Sequence, residues 1–261
     1  MKIPKLVLLF CLLISAGCGG SSNNNNDTNT GLAGNWQMTL QHKRQTETQS
    51  GFLLQAGNIL SGNLLFSGQT IAGQTVCSGV GSVQGQTNNG SITITVLQAA
   101  QTANLTGTTS ADQSSMNGSY SIFTSGCGRT ETGTWTAARV TPLTGTFSAN
   151  FTSTQTSNLT FNASGSLTQG TNKGNSYAYL AGSMSSTNAA CFTSASFTGV
   201  ISGTAVVLNI SNSSGPLGSY SGTAATDASQ ISGTYKFSNT QSSSGCSDAG
   251  TAVFTLNPSA G

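Results

Sequence analysis

Of the chain's 261 residues only 5% are charged, eight Lys and Arg against six Asp and Glu. Two of the cations, Lys2 and Lys5, stand in an N-terminal export signal, and without them the two signs balance at six each. A chain so nearly neutral has no field to draw nucleic acid or an anionic membrane face, and its polar surface must be built from Ser, Thr, Asn and Gln.

The signal is the first element. Lys2 and Lys5 precede an apolar run from Leu6 to Ile14, which is too short to span a bilayer. Ser15, Ala16 and Gly17 then lead into Cys18. This stretch resembles the lipobox of bacterial lipoproteins, in which small residues precede a cysteine that is diacylated and becomes the mature N-terminus. The resemblance implies a signal peptide over 1–17, lipidation of Cys18 and attachment to a membrane of the cell envelope through its acyl chains. Gly19 is similar to the sorting pattern of outer-membrane lipoproteins, so the outer membrane is the expected address. From Gly19 to Gly31 there is no apolar side chain to bury, which predicts a disordered tether. As a flexible coil it would span about 20 Å.

The body of the chain is written twice. Cys77 to Val96 recurs without a gap as Cys191 to Ile210, setting Gly85 against Gly199 and the alternating Ile92, Ile94, Val96 against Val206, Leu208, Ile210. Further on, Gly107, Asp112, Met116, Gly118 and Tyr120 recur as Gly222, Asp227, Ile231, Gly233 and Tyr235. Period-2 alternation, β-branched and aromatic residues, and punctuation by Gly, Asn, Ser or Asp predict eight strands in each copy. In the first they lie near 34–42, 49–56, 59–67, 77–86, 90–98, 103–110, 115–124 and 130–140. In the second they lie near 144–153, 157–166, 176–184, 192–202, 203–211, 217–225, 230–238 and 249–257. The β domains are therefore 32–140 and 141–258, with a tail at 259–261.

Mid-strand glycines such as Gly107, Gly118, Gly222 and Gly233 suit a sharply coiled sheet. No strand carries a Pro or an inward Lys to guard an edge, which favours closure. The predicted fold is all-β, two tandem eight-stranded antiparallel meander barrels. A pair of β-sandwiches, or one barrel shared by both copies, stays open as an alternative.

Six cysteines are present. Cys11 leaves with the signal and Cys18 is taken by acylation. The remaining four fall two to a copy, and in an exported protein they read as the disulfides Cys77–Cys127 and Cys191–Cys246. Each would close a loop of about 50 residues, which chain entropy values at about 4 kcal/mol. In an up-and-down barrel both members of each pair sit at the same end, so the bridge would draw loops over one mouth and leave the other as the entrance. Neither copy has the clustered Cys or His of a metal site, and no metal or cofactor is expected.

Gly34-Asn35-Trp36 resembles the Gly-x-Trp opening of lipocalin- and avidin-like barrels. The resemblance implies an up-and-down barrel closed by a cation–π contact between Arg139 on the last strand and Trp36 on the first. Trp36, Trp135, Tyr120, Phe147, Tyr235 and Phe237 are then the aromatics that either plug the cores or face a ligand.

Catalytic groups are sparse. His42, in Gln-His-Lys-Arg, reads as a solvated turn residue, and no nucleophile elbow, phosphate loop or Cys-x-x-Cys occurs. Asp112 and Asp227 stand in Ser/Thr-rich turns, where a side chain bonding its own backbone accounts for them. Glu47, Glu131 and Asp248 have no acidic neighbour in sequence, so paired-carboxylate chemistry has no support. The expectation is a non-catalytic, lipid-anchored envelope protein whose barrels hold a small apolar molecule or a saccharide. A structural or adhesive surface protein with solid cores is the alternative. The residues that face inward decide between them.

Overall fold

The computed structural model describes residues 31–43, 45–66, 70–71, 74–75, 78–124, 130–156, 159–172, 174–189, 191–239 and 246–258. Cys18, the signal, the tether as far as residue 30 and the Cys77–Cys127 pair lie outside the described residues. The first copy opens with β1 (Gly34–His42), β2 (Gln45–Ala56) and β3 (Ile59–Phe66), followed by a short hairpin of β4 (Thr70–Ile71) and β5 (Gln74–Thr75). It continues with β6 (Gly79–Asn88), β7 (Ser91–Gln98), β8 (Gln101–Thr109), β9 (Ser115–Thr124) and β10 (Glu131–Val140). The second copy comprises β11 (Gly145–Ser153), β12 (Thr160–Gln169), β13 (Ala178–Ser185) and β14 (Ser194–Ser202), then β15 (Ala205–Asn212), β16 (Gly215–Ala224), β17 (Gln230–Asn239) and β18 (Cys246–Pro258). Each predicted strand is present with ends moved by a few residues. The β4–β5 hairpin was not expected, because two-residue strands are too short to show alternation.

Each copy closes on itself into an eight-stranded antiparallel barrel. β1 pairs with both β2 and β10, so Trp36 stands opposite Gly51 on one side and Arg139 on the other. β11 repeats this with β12 and β18, setting Phe147 opposite Gly165 and Leu256. The sandwich and shared-barrel alternatives are thereby excluded. The duplication holds at the level of register too: Gly85 pairs with Ile94 in the first barrel as Gly199 pairs with Leu208 in the second.

Two glycine pairs show how the sheet coils tightly enough to close. Gly107 faces Gly118, and Gly222 faces Gly233. A Cβ added at Gly118 or Gly233 would run into the backbone of the neighbouring strand, so these strands cross more closely than any side chain allows.

The linker-side end of each barrel is plugged in the same way. Just before β1, Leu32 is buried and its backbone N–H donates to Gln55 Oε1 at 2.5 Å, while Trp36 Nε1 donates to the Leu32 carbonyl at 2.9 Å. Just before β11, Leu143 is buried and its N–H donates to Gln169 Oε1 at 3.0 Å. In the first barrel this plug is reinforced by Arg139, whose guanidinium carbon lies 5.2 Å from the centre of the Trp36 ring and whose Nη2 donates to the Gly31 carbonyl.

The barrels dock side by side. The Asn35 amide donates to the Gly203 carbonyl and accepts from the Gly203 N–H, both at 2.8 Å. Gln37 Oε1 accepts from the Thr204 N–H and hydroxyl, and Ser50 Oγ meets Ser202 Oγ at 2.9 Å. Phe52 points out of its own barrel and is buried in the hydrophobic core of the second.

Candidate functional site

The two interiors differ at the end of the barrel away from the plugs. Strand alternation sends every second side chain inward, and the aligned registers allow the copies to be compared ladder by ladder. In the second barrel Ala149 faces Ala163, and Phe151 faces Phe161. The Phe151 and Phe161 rings stack at 4.6 Å with 8° between planes. Tyr235, Phe237 and Phe192 close around them, with Phe151–Tyr235 at 5.2 Å and Phe192–Phe237 at 5.8 Å. Such edge and stacked contacts make a close-packed aromatic core.

In the first barrel the same ladder positions are Met38 opposite Gln49 and Leu40 opposite Glu47. Glu47 thus stands where Phe161 would, and Gln49 where Ala163 would. Both are inward-facing and only 2% and 1% exposed. Gln98, Gln101 and Glu131 project into the same end from β7, β8 and β10. Gln101 Nε2 donates to Gln98 Oε1, and Gln98 Nε2 donates to the Gly79 carbonyl at 2.8 Å. Leu40, Phe66, Val96 and Ile122 supply an apolar lining beside these polar groups.

A tyrosine–carboxylate pair is common to both copies. Tyr120 OH donates to Glu131 Oε1 at 2.8 Å, and Tyr235 OH donates to Asp248 Oδ2 at 2.6 Å. Asp248 also accepts from Ser153 Oγ at 2.5 Å, so it is held on both oxygens. Burial pushes the Tyr235 hydroxyl well above the ordinary tyrosine value, with the neighbouring Asp248 acting in the same direction, and burial alone does the same to Tyr220.

Gln49 has no such closure. Neither Nε2 nor Oε1 has a hydrogen-bond partner among the described residues. Among those residues the second barrel leaves no buried side-chain polar atom without a partner. A buried amide with both ends unused costs about 1–3 kcal/mol, and native interiors seldom retain one without a reason.

Several expectations need correction. His42 ends β1 beside the turn, where its Nδ1 lies 2.6 Å from the Thr132 carbonyl and 4.0 Å from Glu131 Oε2. Glu47 and Glu131, distant in sequence, face the same barrel end because β2 and β10 flank β1 on opposite sides. The polar groups also lie at the end that carries the β3–β6 and β9–β10 connections, not at the opposite mouth. That other mouth is filled by Leu32, Trp36 and Arg139. Asp112 and Asp227 are turn residues as read. Each carboxylate accepts from the N–H two residues on, Ser114 at 3.1 Å and Ser229 at 3.0 Å. Hydrogen bonds from Ser110 and Ser114 lower Asp112 to about 2.

The candidate aromatics all lie inside. Trp36, Trp135 and Tyr120 are buried in the first barrel, and Phe147, Tyr235 and Phe237 in the second. Trp135 Nε1 donates to the Thr106 carbonyl at 3.1 Å. Cys191 and Cys246 form a disulfide with Cα atoms 5.3 Å apart.

No protein-family model and no curated protein sequence matches the chain. Among solved structures, kievitone hydratase from Nectria haematococca aligns over 87% of this chain and 90% of its own, at 7% identity and a TM-score of 0.25. Intact Ap-TbpB, with its N and C lobes, aligns over 86% of this chain and 64% of its own, at 10% identity and a TM-score of 0.24. Neither likeness is close enough to bear on function.

Proposed function

We propose that this chain is a non-catalytic, lipid-anchored protein of the cell envelope, attached at Cys18, in which the first barrel binds a small ligand and the second is a solid structural body. The observation that carries the binding half is the buried Gln49 amide, without a hydrogen-bond partner among the described residues, in an interior whose counterpart is packed with phenylalanine rings. Side chains that weaken a fold are characteristic of binding sites. The anchoring half rests on the export signal and on Cys18 directly after it, with the outer membrane as the expected address.

Native mass spectrometry on protein extracted from envelopes tests both halves. The expected spectrum shows acyl mass at Cys18 and a bound small molecule that is released on unfolding. An unmodified N-terminus contradicts the anchor, and a bare polypeptide mass contradicts retention of a ligand. A structural or adhesive role without ligand is the second reading, favoured by the aromatic packing of the second barrel. It expects the bare mass together with acylation.

A further inference from the structure

Resting on the reading of the first barrel as a binding barrel, we infer that its ligand is a neutral polyhydroxylated compound, a saccharide or cyclitol, held through hydroxyl groups by Gln49. The argument is one of donors and acceptors. A carboxamide presents two N–H donors and one carbonyl acceptor side by side. To satisfy both ends, Gln49 needs a partner that accepts and donates within one small region. A hydroxyl, or two adjacent hydroxyls, does both. An ammonium group only donates, and a carboxylate or phosphate only accepts.

The surroundings narrow the choice further. Glu47 and Glu131 face the same end of the barrel. A carboxylate accepts from hydroxyls, as Glu131 already does from Tyr120, and opposes an anion. A purely apolar ligand would leave the Gln49 amide as unserved as before, gaining nothing from it. The apolar lining of Leu40, Phe66, Val96 and Ile122 suits the C–H faces of a sugar ring. The second barrel, with Ala163 and Phe161 at the matching positions, lacks the amide and should take no part.

The test is an NMR titration of the mature protein, with the side-chain amide signal of Gln49 as reporter. The probes are methyl glucoside, trehalose, N-acetylglucosamine and myo-inositol, against laurate, spermidine and inorganic phosphate. The expected result is a saturable shift of the Gln49 signal with at least one neutral polyol, weakened tenfold or more in Gln49→Met. An Ala163→Gly variant in the second barrel should leave that affinity unchanged. Saturable binding by laurate, spermidine or phosphate alone would overturn the ligand class while leaving a binding barrel in place. No response to any probe, with the amide served by a buried water, would overturn the class and the binding reading together.

Discussion

Single residues carry two separable kinds of information here. Tyr220 and Tyr235 are fold residues: both are buried, and both hydroxyls resist ionisation because a phenolate inside the barrel would be poorly solvated. Their folded values are raised above the unfolded value of about 10. Below that pH both states are neutral and the stability they carry is fully present. Above it the unfolded chain releases protons that the folded barrel retains, so stability falls as pH rises. Urea midpoints measured between pH 8 and 11 should therefore drop on the alkaline side, and Tyr220→Phe should shallow that drop. A midpoint that climbs with pH would contradict the burial argument. Gln49 is the other kind of residue, since its amide adds nothing to the fold that a methionine would not add better.

At the scale of elements, the second barrel is held by a covalent tie between the segment before β14 and the start of β18. The Cys191–Cys246 bridge closes a sequence separation of 55, which chain entropy values at about 4 kcal/mol. Replacing both cysteines by serine should lower the unfolding free energy of the second barrel by about that amount, seen as a fall in its denaturation midpoint. An unchanged midpoint would mean that the unfolded chain is already compact there. The strands themselves were legible because Ile92, Ile94 and Val96 alternate and recur as Val206, Leu208 and Ile210. Leu32 and Leu143 were not read as plugs, although Leu32-Ala33-Gly34 and Leu143-Thr144-Gly145 repeat the same spacing. A lone leucine outside a strand carries no period. Glu47 and Gln49 were missed for a different reason. Alternation normally places polar residues outside, so the predicted second strand began at 49, short of Glu47. Counting backwards by twos from Leu53 through Gly51 puts both inside, and setting them against Phe161 and Ala163 shows what was exchanged.

For the whole molecule, duplication has given two barrels with the same frame and different contents. They are not independent bodies, because Asn35 spans the gap with two hydrogen bonds to Gly203 and Phe52 sits in the neighbour's core. Asn35→Ala would strand both Gly203 backbone groups at a cost of about 2–4 kcal/mol. Calorimetry should then resolve two transitions where the wild type unfolds in one. One unshifted transition would make the contact incidental.

The central claim is that the second copy was packed for stability and the first was kept receptive at the expense of stability. Equilibrium unfolding of Gln49→Met tests it most directly. The account predicts a variant more stable than the wild type by about 1–3 kcal/mol, because a buried amide with no partner among the described residues is exchanged for an apolar side chain of similar length. A variant less stable than the wild type would show that the amide belongs to the fold, and the first barrel would then be as solid as the second.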